Sequence, residues 1–259
     1  MEENFLTVAK QAALEAGKVI QKYSGNFGIK NIKDGDKSNF ATIADLESEK
    51  TIIDILMKAF PVHSVIAEES GRDNKSSEYR WVIDPLDGTI SFASGIPTFG
   101  ISIGMLKDDK PILGVINHVS DNNLYWAKTG RGAYLNGKKI AVSQIKVLEE
   151  SSIGLDFGHR NSRQGKIDAY VTPLINKISY PYCFGSSVTT EAMVATGQLE
   201  AYINQAWIWD FAAGTVIVRE AGGRVSDFKG KEPDWSKERL NIVASNGLIH
   251  DQILEALKK

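Results

Sequence analysis

The chain has 259 residues, enough for one large domain or two modest ones. It is 42% hydrophobic and 24% charged, with 30 basic and 32 acidic residues and a net charge of −2, the balance of an ordinary soluble globular protein. That balance gives no electrostatic case for nucleic acid or for an acidic membrane surface, and the single cysteine, Cys183, excludes an internal disulfide framework.

No charged and apolar leader pair opens the chain, and no apolar run is long enough to span a bilayer, so a cytoplasmic protein with no membrane partner is expected. Residues 3–23 place Phe5, Val8, Ala12, Val19, Ile20 and Tyr23 at helical spacing. Residues 24–40 read as a polar, mobile loop, with Lys33 to Lys37 on a solvated face. A second helix runs from about Asp45 to Phe60 and stops at Pro61. Val62 to Ala67 is a strand that ends in Glu68-Glu69. After a loop from Ser70 to Ser77, Trp81-Val82-Ile83 forms a short buried strand, which Asp84 ends because Pro85 cannot continue a ladder. Asp87-Gly88 turns the chain, and Thr89 opens a short helix. Strands follow at Phe99–Leu106, Ile112–Val119 and Leu124–Ala127. Gly132–Leu135 and Lys138–Val142 then flank Asn136-Gly137, a strong hairpin signal. Residues 1–145 therefore read as two helices on an antiparallel sheet.

A polar connection covers residues 143–151, and the pattern then changes. Strand Ser152–Phe157, helix from about Ser162 to Ile178, strand Ser179–Phe184, helix Ser187–Thr196, strand Glu200–Ile203 and helix Asp210–Ala221 follow, then strand Asn241–Ala244 and helix Leu248–Leu257. Cys183 falls in an apolar strand-like run and is expected to be buried and inert. Residues 146–259 are thus an α/β half, and with no flexible linker the two halves read as one catalytic unit over 1–259.

Acidic residues recur at strand ends and helix starts. Asp84 and Asp87 lie three residues apart, ahead of the backbone N–H groups of Gly88 and Thr89. Carboxylates suit Mg²⁺ and helix-start N–H groups suit phosphate, although Asp-Pro and Asp-Gly are also ordinary turn dipeptides. Glu68 and Glu69, if extended, point to opposite faces, so only one faces a given site. Asp210 begins a helix behind Trp207 and Trp209 and ahead of Ala212-Ala213-Gly214, and Asp45 begins another; N-capping alone accounts for an Asp at such a place. If Glu68, Asp84, Asp87 and Asp210 converge, they cannot all stay ionised without a cation. Two divalent metals would resolve this and clamp a phosphoryl group. The four histidines, His63, His118, His159 and His250, lack ligand spacing, and such chemistry needs none of them.

Asp84 to Thr89 matches the Asp-Pro-x-Asp-Gly-Thr motif, Trp209 to Gly214 the Trp-Asp-x-Ala-Ala-Gly motif, Glu68-Glu69 the Glu-Glu pair and Thr42 to Asp45 the Thr-x-x-Asp of one family, with Arg219-Glu220-Ala221-Gly222-Gly223 following as its tail. In these residues, in order and in register, the chain resembles the inositol monophosphatase family, within the wider fructose-1,6-bisphosphatase-like group. The resemblance implies an alternating layered α/β/α/β/α sandwich of the sugar-phosphatase type, mixed α+β and α/β in class. It also implies hydrolysis of a small-molecule phosphate monoester with two to three Mg²⁺ ions. By the same resemblance, Glu68, Asp84 and the carbonyl of Leu86 would hold one metal and Asp84, Asp87 and Asp210 a second, with a looser third near Glu68. Thr89 and Asp45 would orient and deprotonate the attacking water, and Gly88 and Thr89 would bind the phosphate. Glu69 would support from behind, and Gly185-Ser186-Ser187 would form a substrate-side loop. The Asp34–Asn39 stretch resembles a loop that closes over the metals. A homodimer is implied too.

One departure concerns the alcohol. Inositol-preferring members carry a Glu several residues before the Trp-Asp motif. Here Ala201 to Trp209 holds no carboxylate and is one residue shorter, leaving Asn204 or Gln205 to meet a hydroxyl and Trp207 and Trp209 to stack or to fill a core. An inositol phosphate or similar polyol phosphate, fructose 1,6-bisphosphate, histidinol phosphate and a 3′-phosphorylated nucleotide stay open as substrates. A non-catalytic, partner-binding member of the fold is the alternative of another class.

Overall fold

The computed structural model describes residues 4–25, 28–36 and 39–258. Ala9, Ala12, Ala13 and Ala16 make one face of α1 (Asn4–Lys22) fully buried, and their small side chains let α2 (Ile43–Ala59) lie close beside it. These two helices cover one face of an eight-stranded sheet. Its strands are β3 (Ser64–Ala67), β4 (Gly71–Arg72), β5 (Tyr79–Asp87), β6 (Gly100–Lys107), β7 (Lys110–His118), β8 (Asn123–Lys128), β9 (Ala133–Leu135) and β10 (Lys138–Lys139), in the spatial order 10-9-8-7-6-5-3-4. The sheet is antiparallel except where β3 runs parallel to β5. The expected hairpin is present between β9 and β10, with Asn136 and Gly137 both at positive φ.

The second half holds a five-stranded mixed sheet of β11 (Ser152–Leu155), β12 (Tyr180–Tyr182), β13 (Ala201–Trp207), β14 (Arg224–Ser226) and β15 (Arg239–Ser245), ordered 12-11-13-15-14. Helices α6 (Ser187–Ala195) and α7 (Ile208–Glu220) lie between the two sheets. The outer layer holds α4 (Arg163–Lys166), α5 (Thr172–Leu174) and α8 (His250–Leu257). Three hydrophobic cores fill the gaps between layers, so the order is helix, sheet, helix, sheet, helix. The small residues after Asp210 have their reason here. Side chains built on Gly104 and Gly114 would come within 2.7 Å of Ala212 and 2.2 Å of the Ala213 backbone, so α7 rests almost on the sheet itself.

Several expectations are corrected. Pro85 does not end β5, which continues to Asp87. Asp84 pairs with Ser102 and Asp87 with Gly100, so β5 carries one residue more than β6 over this stretch, a bulge at the proline that cannot donate to the ladder. Residues 24–40 are not only loop, because β1 (Ile29–Ile32) pairs with β2 (Phe40–Thr42). Residues 37 and 38 of the expected closing loop lie outside the described residues. The helix expected from about Ser162 to Ile178 is shorter, running unbroken from Arg163 to Leu174 with a π-helical turn at Ile167–Val171 in its middle. Cys183 is exposed, because β12 ends at Tyr182 on the edge of its sheet.

Candidate active site

In an unbroken strand, residues three apart face opposite sides. The extra residue in β5 cancels that offset and brings Asp84 and Asp87 to one side. Asp210 joins them from the first turn of α7, and the three carboxylates have ligand atoms within 4.8 Å of one another. Asp210 is not the N-cap of its helix. It is the third helical residue, and its Oδ2 accepts the N–H of Trp207 at 2.6 Å. Asp45 stands the same way in α2, its Oδ2 accepting the Thr42 N–H at 2.8 Å and the Thr42 hydroxyl at 2.5 Å. Its other oxygen accepts the Thr89 hydroxyl at 3.0 Å, and that hydroxyl also lies 3.0 Å from the Leu86 carbonyl. Gly88 takes φ +83° ahead of α3 (Thr89–Ala93), and a side chain there would come within 2.5 Å of the Thr98 carbonyl.

Glu68 and Glu69 follow β3 in a turn, so they do not diverge to opposite faces. Both reach Lys33, whose Nζ lies 2.8 Å from Glu68 and 2.6 Å from Glu69. Lys33 is therefore not on a solvated face. Burial works against its charge, but the two glutamates outweigh burial and hold its pKa above the ordinary value. Glu49 fixes the turn by accepting the N–H groups of Glu69 and Ser70, each at 2.8 Å.

These groups border a cleft of about 1080 Å³ between the two halves of the chain. Glu68, Asp84, Leu86, Asp87, Gly88, Thr89, Gly185, Ser187, Asn204 and Asp210 all line it. Asp45 and Glu69 stand behind that wall, joined to it through Thr89 and Lys33. Ser186 is buried and donates to Asp87 Oδ2 at 2.5 Å, and the Val188 N–H donates to the same oxygen at 2.9 Å. Ser186 thus braces a carboxylate, while Gly185 and Ser187 on either side of it line the cleft. Asn204 has its amide engaged by Lys166, Tyr170 and Tyr202. Trp207 and Trp209 stack on each other with centroids 5.0 Å apart, and the Arg239 guanidinium lies 3.9 Å over Trp207. Lys33, Asp156, Lys166 and Arg239 are cleft residues that carry no sequence motif. Arg239 reaches the cleft because β15 pairs it with Trp207.

The electrostatics point to a cation site. Burial raises the pKa of Asp84 far above 3.8, and Glu68, Asp87 and Asp210 push it further. Burial, then Asp87 and Glu68, do the same to Asp210. Burial lifts Asp87 to about 7 against the lowering effect of Ser186 and Val188. Burial lifts Asp45 to about 6 despite its bonds from Thr42. Hard carboxylate oxygens this close, buried and mutually repelling, fit a divalent ion such as Mg²⁺.

The comparisons with known proteins agree with this arrangement. The model of the inositol monophosphatase family matches residues 1–259. A fructose-1,6-bisphosphatase/inositol-1-monophosphatase of Aquifex aeolicus is 35% identical over 262 residues, covering 99% of this chain and 96% of the relative. Among solved structures, the extragenic suppressor protein suhB of Bartonella henselae superposes with a TM-score of 0.89 at 33% identity, covering 98% of each chain. The inositol monophosphatase of Anabaena does so at 0.87 and 34% identity, covering 98% of this chain and 95% of that one. The layered fold and an acidic cleft at the junction of two sheets define a phosphoric monoester hydrolase. The chain belongs to the inositol monophosphatase family. No helix among the described residues is long and apolar enough to cross a membrane.

Proposed function

We propose that the protein hydrolyses the phosphate monoester of a polyol with the help of two to three Mg²⁺ ions. The observation that carries this reading is the convergence of Asp84, Asp87 and Asp210 within 4.8 Å. These three, with Glu68 and the Leu86 carbonyl, would hold the ions. Bound there, Mg²⁺ would neutralise phosphoryl charge and lower the pKa of water. The chain's own groups do the rest. Asp45 accepts the Thr89 hydroxyl proton, which leaves the Thr89 oxygen lone pairs to receive a proton from the attacking water, and Asp45 is the base behind it. Gly88 and Thr89 offer N–H groups to the phosphate, and Ser186 and Val188 keep Asp87 in place. Phosphoryl transfer depends on such positioning more than on covalent chemistry. Both halves of the chain line the cleft, which supports residues 1–259 acting as one catalytic unit.

The alcohol remains the open variable. Inositol phosphate and similar polyol phosphates come first. The name of the Aquifex relative favours fructose 1,6-bisphosphate as the next candidate. The test is phosphate release from inositol 1-phosphate, fructose 1,6-bisphosphate, histidinol phosphate and 3′-phosphoadenosine 5′-phosphate, with and without Mg²⁺, using Asp84→Asn as control. Mg²⁺-dependent turnover that vanishes in the variant is expected. Metal binding without turnover on any substrate would instead favour a non-catalytic, partner-binding protein.

A further inference from the structure

A buried ammonium borders the cleft without a motif to announce it. Lys166 is the last residue of α4, directly before the π-helical turn, and is only 7% exposed. Its Nζ donates to Asn204 Oδ1 at 2.7 Å, while the carboxylate of Asp156 is 3.5 Å away. A lysine is seldom buried without a close counter-charge, because removing an ammonium from water carries a large desolvation penalty. Lys166 keeps a counter-charge in Asp156, but at the long end of the ion-pair range, and its shorter contact is to a neutral amide. An ammonium has three donors; these two contacts engage two of them, and Lys166 lines the cleft.

The surroundings hold this group in place. Asn204 Oδ1 also accepts the Tyr170 hydroxyl at 3.2 Å and the Gln205 N–H at 2.8 Å, while Asn204 Nδ2 donates to Tyr202 at 2.7 Å. The amide is thereby fixed with its oxygen toward Lys166. Arg163, one helical turn earlier, borders the same cleft. The distance to the acidic centre suits a substrate of sugar size. Asp210 holds the N–H of Trp207, and Asn204 lies three residues earlier on β13. At a strand rise of about 3.3 Å per residue, that separation is on the order of 10 Å. A six-carbon polyol with its phosphate at the carboxylates can reach Lys166 with its far end.

We propose that Lys166 is a specificity-determining residue that receives a second anionic group, phosphate or carboxylate, on the alcohol portion of the substrate. Among the phosphate monoesters open to the site, those with such a group gain binding from Lys166 that neutral ones do not. This rests on the phosphomonoesterase reading above and adds the substrate's charge to it.

The test compares the unaltered protein with Lys166→Met, Lys166→Gln and Lys166→Arg on four phosphate monoesters. Fructose 1,6-bisphosphate carries a second phosphate, 6-phosphogluconate carries a carboxylate at the far end of a six-carbon chain, and inositol 1-phosphate and glycerol 2-phosphate are neutral elsewhere. In the Met and Gln variants kcat/KM should fall about 10- to 100-fold for the doubly anionic substrates, the range of one charge-assisted hydrogen bond, mainly through KM. The neutral pair should change less than about threefold, and Arg should restore part of the loss. A loss confined to the bisphosphate assigns the site to phosphate, and one confined to 6-phosphogluconate assigns it to carboxylate. Equal losses on all four substrates, or none, overturn the proposal, since the first would mean that Lys166 only supports Asn204 and Tyr170. No turnover by the unaltered protein on any of the four overturns the phosphomonoesterase reading and this proposal with it.

Discussion

The Thr89 hydroxyl and the Asp45 carboxylate are 3.0 Å apart, although 44 residues separate them in the chain. Each is set by its own helix start, Asp45 by the capping arrangement with Thr42 and Thr89 by the left-handed Gly88. Thr89→Val keeps the branched shape and removes only the hydroxyl. It should lower kcat by about 10²- to 10³-fold, within the range of general acid–base assistance, with KM nearly unchanged. Thr89→Ser should keep most of the activity. Steady-state phosphate release is the measurement, and a Val variant as active as the parent would remove the hydroxyl from the mechanism.

The buried carboxyls make a second prediction, about pH. Asp84 and Asp210 sit well above the ordinary range, Asp87 is raised to about 7 and Asp45 to about 6. An acid with a raised native pKa binds its proton more tightly when folded. Its contribution is therefore greatest below the unfolded value near pH 4 and is lost as pH climbs through the native value. Chelator-treated protein should lose several degrees of Tm between about pH 4 and 7, and Mg²⁺ should restore them by binding the folded state. Asp84→Asn should flatten this pH dependence and abolish the response to Mg²⁺. Thermal melts across pH with and without Mg²⁺ decide the matter; a Tm indifferent to Mg²⁺ in the unaltered protein would count against a metal centre.

Lys33 supplies a third. Its ammonium already neutralises part of the acidic cleft through Glu68 and Glu69. An incoming cation must compete with it for Glu68. Lys33→Met should therefore tighten Mg²⁺ binding about fivefold, corresponding to a pair worth ~1 kcal/mol, while the metal-free variant melts lower because Glu69 loses its partner. Calorimetric titration with Mg²⁺ checks this, and weaker binding in the variant would mean that Lys33 assists the metal site instead.

How much of this was legible in the sequence depended on range. Asp84, Asp87, Thr89 and Asp210 announce themselves because each sits in a local pattern of turn and helix-start residues. Periodicity separated the two halves, and the layered order followed from the family resemblance that the motifs in register carry. The bulge at Pro85 was not legible, because it is defined by the pairing of β5 with β6 and not by either strand alone. Lys33 read as solvated for the same reason, since its partners lie 35 and 36 residues away. Lys166 and Asn204 are 38 residues apart, and the π-helical turn directly after Lys166 leaves no mark in the helical spacing.

Glu191 and Gly214 were equally hidden, and they carry the last prediction. Glu191 of α6 is fully buried, and neither of its carboxyl oxygens has a hydrogen-bond partner among the described residues. It fits only because Gly214 of α7 has no side chain: a Cβ there would lie 1.8 Å from Glu191 Oε2 and 2.4 Å from its Cδ. Burial first, then Asp210 and Asp87, hold the Glu191 carboxyl well above 4.5. Gly214→Ala should destabilise by about 1–3 kcal/mol through overpacking. Glu191→Ala should leave a cavity and also destabilise. The double variant should be more stable than the sum of the two, because the methyl group enters the space that the carboxylate vacates. Glu191→Gln, which keeps the shape and cannot ionise, should raise Tm at pH 8 and leave it unchanged at pH 4. Denaturant unfolding of the four-member cycle measures the coupling. Strict additivity would show that the two helices separate freely at this point.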